Sequence, residues 1–96
     1  MRATIIVTYD ISDNKRLRKV FIKLRGFGNP VQYSVFVCDL SAKEKALMIS
    51  ELDQIINYKE DSLMIITVGP SDERTERKIE MYGKKVDIEE RGAVIV

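Results

Sequence analysis

An aspartate at the end of an apolar strand is the most suggestive chemical feature of the sequence. Thr4 to Tyr9 is rich in β-branched and aromatic residues, which favour a strand, and Asp10 follows directly. The chain has no histidine and one cysteine, Cys38, so it lacks the usual general base, the Ser-His and Cys-His nucleophile pairs and any Cys-based zinc site. Hydrolytic chemistry would therefore rest on carboxylates and a hard cation such as Mg²⁺.

A run of positive charge follows Asp10. Six basic residues and no acidic one lie between positions 14 and 38, in a chain of formal net charge +1: Lys15, Arg16, Arg18, Lys19, Lys23 and Arg25. Arg16 and Arg18 fall within a turn or two of Asp10, where a phosphodiester would lie, and arginine suits bidentate phosphate contacts. Lys19 would add to a general positive field. The pattern favours a phosphate-binding surface, and a solvated helix face has the same pattern.

Two helices are predicted from apolar periodicity. The first has one buried face formed by Leu17, Val20, Phe21 and Leu24, and it ends at Gly26 and Gly28. Asp13 is its predicted cap, although Asp10 taken alone also fits a cap or turn. The second helix begins at a capping box, Ser41–Glu44, and its predicted buried stripe is Met48, Ile49, Leu52, Ile55 and Ile56.

Two further strands are predicted, at Val31–Cys38 and Leu63–Val68. In the first of them, alternation places Tyr33 with the valines on the core face, and Phe36 with Gln32 and Ser34 on the other. The third strand is apolar on both faces. The charged stretch that follows predicts a short helix or strand around Arg77–Tyr82.

The order of elements predicts an α+β fold of one domain, residues 1–96. It is a ferredoxin-like split βαβ sandwich, in which two helices cover one face of an antiparallel sheet. That fold needs a hairpin between the helices, so Val31–Cys38 would have to bend or split. The other sheet face would carry Ile6, Phe36 and residues of Leu63–Val68, and such an apolar face argues for sheet-against-sheet dimerisation or an equivalent partner. In a two-fold dimer, two copies of Asp10 could then approach across the axis, an arrangement that suits Mg²⁺.

A membrane protein is not predicted. No apolar run approaches the roughly 20 residues of a membrane span. The N-terminus, Met1–Val7, enters a strand and shows no signal-peptide pattern. We therefore expect a cytoplasmic protein.

Three stretches give the chain a resemblance to a known family. They are Tyr9–Ile11 with Lys15–Val20, Gly28–Phe36 with Asp39–Ser41, and Asp61–Ile66. In order and spacing, over nearly the whole chain, the sequence resembles the CRISPR-associated endoribonuclease family. Members of that family are the small subunit of the complex that inserts new spacers into CRISPR arrays.

This resemblance implies a site and a mode of assembly. Asp10 of each subunit would be the catalytic residue and the ligand of Mg²⁺, or of another divalent cation, near the two-fold axis of a homodimer. Tyr9, Arg16, Arg18 and Phe36 would line the nucleic-acid or catalytic region. Residues 86–96 would form a C-terminal strand that adds to the partner subunit's sheet.

Two functions remain open from the sequence. The first is a metal-dependent endonuclease on RNA, DNA or both, which is also the dimeric DNA-binding component of the CRISPR integrase complex in spacer acquisition. Its partners would be the larger integrase subunit and nucleic acid, namely duplex DNA and single-stranded RNA. The alternative is a catalytically idle adaptor that bridges integrase dimers on duplex DNA. A metabolite-sensing domain of the same general fold is disfavoured by the basic face and the family stretches.

Overall fold

Four strands and three helices make up residues 1–85, the part of the chain that this computed structural model describes. Their bounds are β1 Arg2–Asp10, α1 Asn14–Arg25, β2 Gly28–Gln32, β3 Val35–Ser41, α2 Ala42–Asp53, β4 Ser62–Pro70 and α3 Glu73–Glu76. The strands form one antiparallel sheet in the order β2-β3-β1-β4. The predicted ferredoxin-like arrangement is thereby confirmed. The tail predicted to pair with a partner, residues 86–96, lies outside the described residues.

Helices α1 and α2 cover the same face of the sheet. Alternate residues of the central strand β1, namely Ile5, Val7 and Tyr9, point into the core. The two helices contribute Val20, Phe21, Leu24, Met48 and Leu52 to the same buried cluster. Because both helices bury their apolar residues against one side, the intervening residues of β1, such as Ile6 and Thr8, face away from them.

The start of α1 is fixed by its cap. Asp13 has extended backbone angles, and its side chain accepts a hydrogen bond of 2.9 Å from the backbone N–H of Arg16. This bond satisfies one of the four N–H groups that a helix N-terminus leaves unpaired. The predicted cap is confirmed, and Asp10 does not serve in that position.

Replacing the cap tests this assignment. We expect Asp13→Ala to lower the free energy of unfolding by about 1 kcal/mol, because the Arg16 N–H loses its acceptor. The melting temperature should fall by roughly 4–8 °C in a thermal denaturation followed by circular dichroism. Asp13→Asn keeps the capping oxygen and is the control, so an equal loss in both variants would contradict the assignment.

The segment predicted as one strand, Val31–Cys38, is split by a two-residue turn. Tyr33 and Ser34 form the turn, with Ser34 in the left-handed region at φ 59°. Tyr33 is 66% exposed, so its predicted core position is wrong. The turn also detaches Gln32 and Ser34 from the strand that carries Phe36. Their polarity therefore gives no information about the face of that strand.

Phe36 lies on the helix-covered face. It is opposite Val7 in the sheet, and residues opposite one another share a face. Its side chain is 0% exposed, and its ring packs edge-on to that of Phe21 at 5.4 Å between centroids. Its predicted place on the uncovered face is therefore wrong.

Cys38 lies next to Phe36 on this face of β3, beneath β2. A Cβ atom at Gly28 would be 2.5 Å from the Cys38 sulfur, so β2 can approach β3 this closely only with glycine at that position. Burial raises the pKa of the Cys38 thiol to about 11. The prediction that Cys38 is a small buried apolar side chain is confirmed.

The second helix agrees with its predicted start and differs in its buried stripe. The capping box is present, with the Ser41 hydroxyl accepting from the Glu44 N–H and the Glu44 carboxylate accepting from the Ser41 N–H. Met48 and Leu52 are buried, and Ile49 is exposed. Ile55 and Ile56 follow the end of α2 and pack against the core.

The last short helix, α3, lies before the predicted position of Arg77–Tyr82. No helix within residues 1–85 is long and apolar enough to cross a membrane.

Candidate metal and nucleic-acid site

Asp10 is the last residue of β1 and is exposed. It lies opposite Ser62, the first residue of β4. Within residues 1–85 its carboxylate accepts no hydrogen bond and forms no ion pair, whereas Asp13 and Asp61 nearby are both engaged. Its oxygens are therefore available to a ligand.

The sheet face that carries Asp10 is apolar, and no helix or strand within residues 1–85 covers it around Asp10. Opposed residues on this face are Ile6, Thr8, Val35, Val37, Met64 and Ile66, which we call the open sheet face. Met64 is 56% exposed and Ile66 41%. At the far end of the sheet, Ile79 and Met81 line a cavity of about 560 Å³ together with Val37. Exposed apolar side chains therefore lie at both ends of this face, with Met64 and Ile66 towards Asp10 and Met81 (57% exposed) at the far end.

One copy of the chain offers little to a metal ion beyond Asp10. The described residues contain no group of three or more Asp, Glu, Cys or His side chains arranged to hold an ion. A carboxylate oxygen is the donor that Mg²⁺ prefers, and this ion commonly keeps several waters and binds through one or two carboxylates and phosphate oxygens. Asp10 therefore fits a hard cation only if a second copy or the nucleic acid completes the coordination.

The Arg16 side chain is held in an ion-pair network and is largely shielded from solvent. Its Nε and Nη2 atoms donate to the two oxygens of Asp61 at 2.8 and 3.2 Å, a bidentate pair, and Nη2 also donates to Glu60 at 3.2 Å. The Arg16 side chain is only 23% exposed. The sequence predicted a guanidinium group free to bind phosphate, and the structure instead places it in this ion-pair network.

The carboxylate of Asp61 is enclosed by donors. Its side chain is 0% exposed, and it also accepts hydrogen bonds from the backbone N–H groups of Ser12 and Asn57. The hydrogen bond from Arg16 lowers the pKa of Asp61 far below that of an ordinary aspartate, and the two backbone N–H groups strengthen this effect against the opposing influence of burial. Asp61 raises the pKa of Arg16 in turn. The pair is ionised throughout the physiological range.

Asp61 is a site residue that sequence reasoning missed. Asp61 opens one of the stretches that carry the family resemblance, but it stands 45 residues from Arg16 along the chain. Spacing therefore gives no signal for the pair. Only the antiparallel pairing of β1 with β4 brings the two loops together.

Arg18 and Lys19 are placed as the sequence predicted. Both are exposed on α1, and neither forms an ion pair with another residue in the range 1–85. Lys23, by contrast, lies 3.5 Å from Glu51. Helix α1 therefore presents exposed positive charge to solvent, and phosphate binding by Arg18 and Lys19 stays a prediction.

Tyr9 and Phe36 are core residues. They are 5% and 0% exposed, and their rings lie 6.3 Å apart. A base cannot stack on a ring that is enclosed by helix α1 and the sheet. The family resemblance implied that both side chains line the nucleic-acid or catalytic region. Both rings are buried in this structure, and their contact with nucleic acid stays a prediction.

Comparison of the sequence with known proteins finds one family. The family model for CRISPR associated protein Cas2 matches residues 1–76. A protein of Geobacter sulfurreducens named CRISPR-associated endoribonuclease Cas2 is 38% identical over 96 residues, 100% of both chains. A protein of Rhodospirillum rubrum named CRISPR-associated endoribonuclease Cas2 1 is 36% identical over 91 residues, 95% of this chain and 88% of that protein.

Comparison of the fold finds related solved structures. Streptococcus pyogenes Cas2 superposes with a TM-score of 0.74 at 33% identity, covering 83% of this chain and 99% of that one. A hypothetical protein from Thermus thermophilus superposes with a TM-score of 0.77 at 26% identity, covering 90% and 96%.

Proposed function

The chain belongs to the Cas2 family of CRISPR associated proteins, and on this premise we propose that it is a divalent-metal-dependent endoribonuclease of spacer acquisition. It also serves there as the dimeric DNA-binding component of the CRISPR integrase complex. The names of these two relatives support the endoribonuclease activity. The metal, the dimer, the larger integrase subunit and the cytoplasmic location are parts of the proposal.

The observation that carries the proposal is the exposed Asp10 at the rim of the open sheet face. A two-fold dimer that buries this face with its axis near the end of β1 brings Asp10 of one copy close to Asp10 of the other, because an isologous interface places equivalent residues about the axis. Two carboxylates then do together what a single copy, with no cluster of metal ligands in its described part, does not do alone. The same contact removes Met64 and Ile66 from water.

Different residues of the chain have different roles in the proposed cleavage. When bound, Mg²⁺ would supply an activated water and offset the negative charge that develops on the phosphate. The two Asp10 carboxylates hold the ion. Arg18 and Lys19, which no acidic residue of the described chain neutralises, hold the phosphate backbone and give the binding its salt dependence. Since the chain has no histidine, its general base is not an imidazole.

A structural adaptor is the second candidate function. It is favoured by the sparseness of the site, since each copy contributes one free carboxylate at the end of β1 and residues 1–85 hold no further ligand cluster. The dimer would then hold two integrase dimers at a fixed separation on duplex DNA, through Arg18 and Lys19, without using Asp10.

Asp10→Asn tests the proposal. We expect Mg²⁺-dependent cleavage of RNA and DNA to fall by at least about 100-fold, because the amide retains the size of the side chain and removes the charge that holds the ion. Glu73→Gln, an exposed carboxylate on α3, is the control and should cleave as the unmodified protein does.

Spacer insertion by the reconstituted integrase complex separates the two candidates. Loss of cleavage with insertion unchanged favours the adaptor as the main role. If Asp10→Asn changes neither cleavage nor insertion, Asp10 is not a metal ligand and the proposal is wrong.

A further inference from the structure

Three separate segments of the chain meet at the Asp61 carboxylate. It accepts from the N–H and hydroxyl of Ser12 in the β1–α1 loop, from the guanidinium of Arg16 in α1, and from the N–H of Asn57 in the α2–β4 connection. The distances run from 2.8 to 3.3 Å. We call this group of four residues the Asp61 clasp.

The Asp61 clasp buries a charged carboxylate, which costs free energy unless hydrogen-bond donors surround the charge. A carboxylate with 0% side-chain exposure has given up its hydration, and this is tolerated only when donors replace the lost water. Here five N–H and O–H donors surround its two oxygens. Glu60 contacts the same Arg16 and Ser12 groups, but its side chain is 58% exposed, so its ion pair is the weaker one.

Residues of the Asp61 clasp lie close to Asp10 both along the chain and across the sheet. Ser12 is two residues after Asp10 in the chain, and Ser62, directly opposite Asp10 in the sheet, follows Asp61. Between Asp10 and Ser12, the side chain of Ile11 is buried in the core. The backbone that presents the Asp10 carboxylate is thus anchored through the same buried group along both strands.

We infer that Asp61, through its contacts with Ser12 and Arg16, is a positioning residue that sets the backbone of Asp10 for divalent-cation binding. This inference rests on the proposed function, since it concerns the ion that Asp10 is proposed to hold. Arg16 then stabilises the backbone of the metal site, and Arg18 and Lys19 are the residues that bind the phosphate backbone. A ligand carboxylate needs such support because its affinity for an ion depends on how its orientation is fixed by neighbouring groups.

Mn²⁺ broadening of backbone amide signals in nuclear magnetic resonance tests the inference without an activity assay. In the unmodified protein we expect the Asp10 and Ser62 amide signals to broaden first as Mn²⁺ is added. In Asp61→Asn the Mn²⁺ concentration for half-broadening should rise by at least about tenfold. Ser12→Ala, which keeps its backbone N–H and removes only the hydroxyl, should shift it in the same direction by less. This milder variant keeps the test valid if Asp61→Asn does not fold.

Two further measurements separate positioning from other roles. Glu60→Gln removes only the exposed carboxylate beside Arg16 and should leave the Mn²⁺ titration unchanged. Binding of a short DNA duplex without divalent ions should change by less than about twofold in both clasp variants, because Arg18 and Lys19 are untouched. Tighter duplex binding by Asp61→Asn would instead show that Arg16 is a phosphate ligand masked by Asp61, and would overturn the inference.

The inference and the proposed function fail in different ways. If Mn²⁺ broadens Asp10 equally in the unmodified protein and in both folded clasp variants, the positioning role is wrong and the proposed metal site stands. If Asp10→Asn and the unmodified protein give the same titration, Asp10 binds no ion. The proposed metal site is then wrong, and the inference with it.

Discussion

Replacing Phe36 by alanine is expected to lower the free energy of unfolding by about 3–5 kcal/mol, the usual cost of removing a buried aromatic side chain. Phe36 is fully enclosed between the sheet and α1, with Tyr9 and Phe21 as ring neighbours. Its removal leaves a cavity that these rings can fill only by moving together. In a domain of this size, that loss is a large part of the total stability.

Urea denaturation at fixed protein concentration measures this effect. The control is Tyr33→Ala, which removes an aromatic ring from the turn of the same hairpin. Because Tyr33 is exposed, the loss should stay within about 1 kcal/mol. Comparable stability of the two variants, with weaker nucleic-acid binding by Phe36→Ala, would support the interpretation of Phe36 as a nucleic-acid contact.

Ile66→Asp is expected to raise the dissociation constant of the proposed dimer by at least about a thousandfold. Ile66 is on the open sheet face, opposite Ile6, and an isologous interface would bury two introduced carboxylates, one from each copy. Each isolated fold should persist, because the side chain already faces away from the core. Mg²⁺-dependent cleavage should be lost together with the dimer, because separated subunits no longer bring two Asp10 carboxylates to one ion.

Sedimentation at micromolar concentration checks this expectation. The matched control is Leu47→Asp, which makes the same kind of change at an exposed position of α2. It should sediment as the unmodified protein does. An Ile66→Asp protein that still sediments as a dimer would show that copies associate through another surface, and the proposed pairing of Asp10 would be wrong.

Helices α1 and α2 and strands β1 and β4 could be predicted from the sequence because each carries a local signal. The α1 face from Leu17 to Leu24 repeats at helical spacing, Asp13 and Ser41 provide caps, and Asp10 marks the end of β1. These signals also fixed the class of fold, since two helices of this kind and their strands have few ways to pack.

The fold required a hairpin between the two long helices, but its turn could not be located because it lacks the glycine, asparagine or aspartate that two-residue hairpin loops favour. Tyr33 and Ser34 carry no glycine, asparagine or proline signal, and Ser34 adopts a positive φ that serine rarely takes. One unrecognised turn then misplaced Tyr33 in the core and Phe36 on the open face. The Arg16–Asp61 ion pair could not be predicted for a different reason. It forms only because β1 pairs with β4, which lies far along the chain.

The enclosure of Cys38 beneath Gly28 has a consequence for how copies of the chain associate. A thiol with a pKa of about 11 is almost entirely protonated at neutral pH, and the protonated form does not attack disulfides or oxidants. It is also the chain's one thiol, so two copies cannot become covalently linked while the hairpin stays closed. No disulfide therefore holds copies of the folded chain together, and their association does not depend on the redox state of the surroundings.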